Sequence, residues 1–134
     1  MTDERLIALA KQAASFAYAP YSGFTVGAAL LAESGKVYLG CNIENAAFGP
    51  TNCAERTAFF KAVSEGERSF CAIAIVGGKR GVFDALCPPC GVCRQVMAEF
   101  CAPDFRVILG TDSGEPRVYP LAELLPLSFS KAQL

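Results

Sequence analysis

A three-layer α/β/α sandwich around a mixed five-stranded sheet is expected from three features of the chain. Helical and strand-like segments alternate along its 134 residues, which suits a sheet covered by helices on both faces. Residues 70–78, FCAIAIVGG, are an unbroken apolar run, the look of a strand buried on both sides. Two further apolar runs, joined by ESGK, read as a hairpin and add antiparallel pairing. The length fits one domain, residues 1–134, with enough interior to fold without disulfide staples.

The elements follow in order. Residues 3–17, DERLIALAKQAASFA, put Leu6, Ile7, Ala10, Ala13, Ala14 and Ala17 on one helical stripe, and Thr2 or Asp3 can cap it. YAPYSG breaks the helix. FTVGAALLAE and KVYLGCN are the hairpin strands. Residues 43–52, IENAAFGPTN, have Gly49-Pro50 and no period, so a loop is expected. Residues 53–64, CAERTAFFKAVS, are helical, with Ala54, Thr57, Ala58, Lys61 and Ala62 supplying the spacing. After the central strand comes the loop KRGVFDALCPP, then a third helix, CGVCRQVMAEFCA, over 90–102. FRVILG is a strand, TDSGEP a turn, RVYP a short edge strand closed by Pro120, and LAELLP one or two helical turns before the tail LSFSKAQL.

Composition narrows the function. Twelve Lys and Arg face thirteen Asp and Glu, and Lys79-Arg80 is the only adjacent basic pair. That is no footprint for nucleic acid, which needs a clustered positive face. No apolar run reaches the roughly 18 residues of a membrane span. The start, MTDERLIALAKQ, lacks the basic-then-apolar order of a signal peptide. A cytoplasmic protein with reduced thiols is therefore expected. The apolar share of 52% is high for a small chain, and the surplus suits subunit interfaces. Histidine is absent. Ser-His-Asp and Cys-His machinery are excluded, and a transition-metal site has to use thiolates and carboxylates.

Residues 87–95, CPPCGVCRQ, hold two overlapping C-x-x-C pairs, Cys87–Cys90 and Cys90–Cys93. Seven cysteines in a reducing compartment argue for metal or redox chemistry over structural disulfides. Two helices open with cysteine, in NCAER and in PPCGVCRQ. Cys90 and Cys93, at i and i+3, share a face, and a helix N-terminus favours a thiolate. Cys53, Cys90 and Cys93 converging between two helix starts make a three-ligand zinc site with an open fourth position, the catalytic arrangement. Water there becomes acidic, and Glu55 is the nearby general acid/base. Cys87 is expected to point elsewhere. Arg56 and Arg94 follow the ligands and can hydrogen-bond the sulfurs, offsetting their charge. Bland readings stand beside these. Cys90–Cys93 alone also fits a redox pair. Cys41, Cys71 and Cys101 read as buried structural thiols. Asn42 also reads as a strand end, Glu44 as a solvated loop charge, and Phe24 and Phe129 as core or interface aromatics.

CAER followed by PCGVCRQV resembles the zinc-dependent cytidine deaminases of the small all-cysteine type. The handful of supporting stretches spans most of the chain: YSGFTVGAALL, GCNIENAAFGPTNCAERTAFFKAVSEG and LLPLSF. The resemblance implies the deaminase fold and one Zn²⁺ per subunit on Cys53, Cys90 and Cys93. It implies hydrolytic deamination of cytidine and deoxycytidine for pyrimidine salvage, with zinc-activated water attacking C4 and Glu55 shuttling protons. Asn42 and Glu44 are then expected on the ribose hydroxyls, the Ala54 N–H on the pyrimidine carbonyl, and Phe24 and Phe129 against the base, Phe129 from a neighbouring subunit of a homotetramer. Gly23, Thr25, Phe48 and Pro88 depart from the residues common in that family (Lys, Pro, Tyr and Ser), and Phe48 removes a hydroxyl. A deaminase of another aminopyrimidine and a non-catalytic zinc module are the competing classes.

Overall fold

Thr2 starts the first helix: its hydroxyl accepts the Arg5 N–H at 3.1 Å, which satisfies one of the donors a helix start leaves free. The computed structural model describes residues 1–134. Its elements are α1 (Asp3–Ala14), β1 (Phe24–Ala32), β2 (Val37–Cys41), α2 (Ala54–Ser64), β3 (Phe70–Lys79), α3 (Gly91–Phe100), β4 (Arg106–Leu109), β5 (Arg117–Pro120) and α4 (Leu121–Leu124). A short 3₁₀ turn, Lys131–Gln133, ends the chain under a capping box from Ser130; the sequence reading assigned no element there.

The sheet order is β2-β1-β3-β4-β5. β1 and β2 form the expected hairpin, with Gly27 opposite Cys41 and Leu31 opposite Val37. β1 also pairs antiparallel with β3. β3 and β4 are parallel, Ala72 opposite Arg106 to Ile75 opposite Leu109, a pairing that requires a crossover, which α3 supplies. β5 is the antiparallel edge. Residues 72–78 of β3 are all buried, as the apolar run predicts for a central strand.

The helices make two layers over this sheet. On one face Leu6, Ile7, Ala10 and Ala14 of α1 pack on Ala29, Ala74, Val76 and Ile108. On the other, Ala54, Ala58, Phe59 and Ala62 of α2 and Met97 of α3 pack on Leu30, Ile73, Ile75 and Val107. Phe59 stands edge-on to Phe70, ring centroids 5.1 Å apart, an arrangement that adds to area burial.

Four expectations need correction. α1 stops at Ala14, and Ala17 leaves its stripe. Ser15 closes the last turn by donating to the Gln12 carbonyl at 2.6 Å, and the Tyr18 N–H goes to the Asn42 carbonyl instead of continuing the helix. α2 buries Ala54, Glu55, Ala58, Phe59 and Ala62, whereas Lys61 is exposed and Thr57 half-buried. Phe59 turns inward with Ala54, Ala58 and Ala62, and the equally large Phe60 is left exposed. Cys71 is exposed. It is the extra residue where the β1–β3 register shifts, Leu31 facing Ala72 and Ala32 facing Phe70, and a bulge residue escapes the regular in–out alternation. Cys41 and Cys101 are only half-buried.

Two glycines let the helices approach the sheet. A Cβ on Gly27 would lie 1.9 Å from the Ala10 carbonyl, and one on Gly40 would lie 2.3 Å from the Ala54 carbonyl and 2.6 Å from the Ala58 nitrogen. The second contact sets the depth of the α2 N-terminus, where Cys53 and Glu55 sit. Gly40→Ala is therefore expected to push α2 outward. Overpacking of this kind typically costs about 1–3 kcal/mol. Chemical denaturation of the variant measures the loss, and an unchanged midpoint would show that α2 does not need the contact.

Candidate metal centre and active site

Cys53 is the N-cap of α2 and Cys90 the N-cap of α3; neither side chain makes a capping hydrogen bond. Both sulfurs are free for other partners at the positive ends of two helices. Cys93, one turn into α3, is buried. The three sulfurs lie within 4.8 Å of one another, and those of Cys53 and Cys90 are 3.8 Å apart. Two thiolates each about 2.3 Å from a tetrahedral zinc ion lie about 3.8 Å apart, so the cluster fits that ion in size and in donor type.

The surroundings favour charge at this spot. Cys53 is pushed down to about 5, first by hydrogen bonding with Cys93, then by Arg56 and Cys90. Cys93 is driven the opposite way by the same sulfur pair and by burial. Arg56 Nη2 donates to Cys53 Sγ at 3.3 Å. The Arg56 Nε is buried with no partner. Arg94 does not join in: Nε donates to the Pro89 carbonyl and Nη1 to the Leu124 carbonyl, both at 2.7 Å. It ties the loop before α3 to the end of α4 and leaves the sulfurs to Arg56. A sulfur contact thus forms for Arg56 and not for Arg94, which turns toward the nearby Pro89 carbonyl and the distant Leu124 carbonyl.

Glu55, in the first turn of α2, is 4% exposed. Burial, more than any neighbouring charge, raises its carboxyl to about 7, with the Cys53 charge adding to the effect. A carboxyl poised there exchanges protons readily near neutral pH. Ala54 is fully buried beside it as the first residue of the helix. Its N–H is one of those that a helix cannot satisfy internally.

These groups share one cavity of about 200 Å³, lined by Asn42, Glu44, Cys53, Ala54, Glu55 and Cys90 together with Val26, Thr51, Asn52, Cys87 and Pro88. A larger hollow of about 320 Å³ lies under the C-terminal segment, but its only acid–base group is the thiol of Cys101, so the chemistry belongs to the smaller cavity. Asn42 is buried; Oδ1 accepts the Val26 N–H at 2.9 Å and Nδ2 donates to the Phe24 carbonyl at 2.8 Å. One amide hydrogen remains for a ligand. Glu44 lies at the mouth, where a groove of about 350 Å³ formed with Tyr21, Ser22, Asn45, Phe48 and Thr51 opens outward.

Phe24 and Phe129 are not brought into the cavity. Phe24 lines a separate groove with Gly77, Gly78 and Lys79. Phe129 is 63% exposed, and only its carbonyl is engaged, by Gln95 Nε2 at 2.8 Å. Cys87, expected to point elsewhere, lines the cavity wall without joining the sulfur cluster. It packs against Gly77, where a Cβ would meet its sulfur at 2.6 Å. Burial raises its thiol to about 11, so it stays neutral. Its packing on β3 is a contact between distant residues and leaves no trace in local spacing.

Residues 1–110 match the family model described as the cytidine and deoxycytidylate deaminase zinc-binding region. The chain belongs to the cytidine and deoxycytidylate deaminase family. A cytidine deaminase of Sporosarcina psychrophila is 55% identical over 134 residues, covering 100% of this chain and 96% of its own length. One from Halalkalibacterium halodurans is 54% identical over 131 residues, with 97% and 96% covered. The crystal structure of a cytidine deaminase from Burkholderia pseudomallei superposes with a TM-score of 0.89 at 50% identity, covering 96% of this chain and 100% of that one. The deaminase family is an enzyme family, and its fold is the mixed-sheet sandwich described above. The family match spans the three clustered sulfurs, Glu55, Asn42 and Glu44, and stops short of Phe129.

The departures from the common deaminase residues are accommodated. Gly23 takes a left-handed conformation, φ +69°, which glycine adopts without strain. Thr25 donates to the Gly78 carbonyl and accepts from the Gly81 N–H. Pro88 lines the cavity, and Phe48 is 85% exposed at the groove. No helix is long and apolar enough to cross a membrane.

Proposed function

We propose that this chain is a zinc-dependent hydrolase that converts cytidine, and deoxycytidine, to uridine or deoxyuridine plus ammonia, a reaction of pyrimidine salvage. The observation that carries the reading is a cluster of three sulfurs, two of which, Cys53 and Cys90, line one cavity with the buried carboxyl of Glu55. Cys53, Cys90 and Cys93 would hold one Zn²⁺ per subunit. When bound, that ion supplies the Lewis acidity that makes water a nucleophile near neutral pH.

The chain's own groups do the rest. Glu55 takes a proton from the attacking water and delivers it to pyrimidine N3, which makes C4 electrophilic. The oxygen adds to C4, which becomes tetrahedral. Glu55 then carries the second proton to the amino nitrogen, ammonia leaves, and the C4 carbonyl forms. Burial of Glu55 suits this cycle because its neutral form must exist midway. The free N–H of Ala54 holds the pyrimidine carbonyl, the remaining Asn42 amide hydrogen and the Glu44 carboxylate meet the ribose, and Arg56 offsets the sulfur charge.

Phe129 and Phe24 complete the site from around it, Phe129 from a neighbouring subunit. Exposed Phe16, Phe48, Phe60, Leu127 and Phe129 on the single chain support a homotetramer. The seven free thiols support a reducing, cytoplasmic setting. Nucleic acid and membranes are not partners in this reading. The test is the loss of cytidine ultraviolet absorbance with purified protein, which should proceed, stop on chelation, and return with added zinc. Sedimentation of the same preparation should give about four times the 14.2 kDa of one chain. An inert, zinc-loaded protein would overturn the assignment.

A further inference from the structure

The segment between α1 and β1 folds over the carboxylate of Glu44. An isolated bridge joins Tyr18 to Ile43: the Tyr18 N–H donates to the Asn42 carbonyl at 3.0 Å, and the Glu44 N–H to the Tyr18 carbonyl at 2.8 Å. This brings residues 21 and 22 onto the side chain. Glu44 Oε1 accepts the N–H groups of Tyr21 and Ser22 at 3.0 and 3.1 Å. Glu44 Oε2 accepts the Ser22 hydroxyl. The same hydroxyl oxygen accepts the Phe24 N–H at 3.0 Å, so the residue that begins β1 helps to aim it. The turn itself is pinned: the Gly23 N–H donates to the Ala19 carbonyl, the Arg80 N–H to the Gly23 carbonyl, and Lys79 Nζ to the Ser22 carbonyl. A carboxylate offers about four lone-pair directions. The loop fills three of them, two on Oε1 and one on Oε2, and leaves one on Oε2 in a residue that lines the cavity.

We propose that Ser22 is a positioning residue for substrate recognition, holding Glu44 in the one orientation from which its carboxylate accepts a sugar hydroxyl; this rests on the nucleoside reading above. Without the Ser22 hydroxyl the long Glu44 side chain is tied by backbone groups at Oε1 alone, and it must give up rotamer freedom each time substrate binds. The Ser22 bond is also the largest influence holding Glu44 below the usual carboxylate range, which keeps it an acceptor only. The inference concerns recognition of the sugar, away from the sulfurs and from Glu55, so its signature is in binding rather than turnover.

The test is a double-mutant cycle on zinc-loaded protein with cytidine as substrate. Ser22→Ala should lower kcat/KM about tenfold, the size expected when one hydrogen bond to a charged group is lost, with most of the change in KM. Ser22→Thr, which keeps the hydroxyl, should restore it to within about threefold. In a Glu44→Ala background, where no side-chain acceptor remains, Ser22→Ala should cause no further loss. Zinc content and melting temperature should stay at the wild-type values throughout. Equal losses in both backgrounds, a threonine variant no better than alanine, or a fall in kcat at constant KM would each overturn the role of Ser22. A wild-type protein inert toward cytidine would instead sink the function itself, and this inference with it.

Discussion

Glu55→Gln is expected to cut the turnover of cytidine by at least about 10³-fold while leaving zinc content and melting temperature at wild-type values. General acid–base help is typically worth about 10²–10⁴-fold, and in the proposed cycle one residue would serve two proton transfers. Glutamine keeps the shape of the buried side chain and can still donate a hydrogen bond, but it cannot accept a proton from water and release it again. The chain has no histidine to substitute, and the other carboxylate in the cavity, Glu44, is already engaged by Tyr21 and Ser22. Steady-state kinetics beside metal analysis separates the outcomes: a variant with more than a tenth of wild-type activity would remove Glu55 from the proton path.

Cys53→Ala is expected to abolish both metal binding and activity, and to lower the melting temperature. It removes one of three sulfurs from the proposed metal site, whose fourth position would serve the reaction, so two protein ligands would remain on one helix. It also strips the half-buried Arg56 of the acceptor at 3.3 Å, next to an Nε that already lacks a partner. Cys87→Ala is the contrasting variant. Its thiol lies outside the sulfur cluster, so full zinc should be retained. Metal analysis decides both: full zinc in Cys53→Ala, or its loss in Cys87→Ala, would mean that the wrong sulfurs have been assigned.

The cysteines that cluster are legible because each stands at a helix start or one turn into it. Cys90 and Cys93 are one helical turn apart, and Cys53 and Glu55 open a helix after a patternless loop, so local periodicity already places them. The same holds for β3, whose continuous apolar run can only be a covered central strand. What escaped was set by contacts between distant residues. Arg94 turns to the carbonyls of Pro89 and Leu124, and only the packing of α4 beside α3 brings the second of these near. Ser22 reaches Glu44 across 22 positions. Cys71 has a strand's composition around it, yet a single-residue slip between β1 and β3 turns it outward. The stripe of α2 differs from the spacing of Thr57 and Lys61 because Phe59 turns inward with Ala58 and Ala62 beside it.

Cys53 and Cys90 stand 37 positions apart, with the whole of β3 between them. An ion gripping both works as a removable cross-link, clasping the layer formed by α2 and α3 from its outer end. In the chain-entropy picture, tying a loop of that span takes about 4 kcal/mol of freedom from the unfolded chain. Scarcity of zinc would therefore shorten the lifetime of the protein as well as silence it, and the supply of one ion would govern both how much enzyme persists and how much of it works.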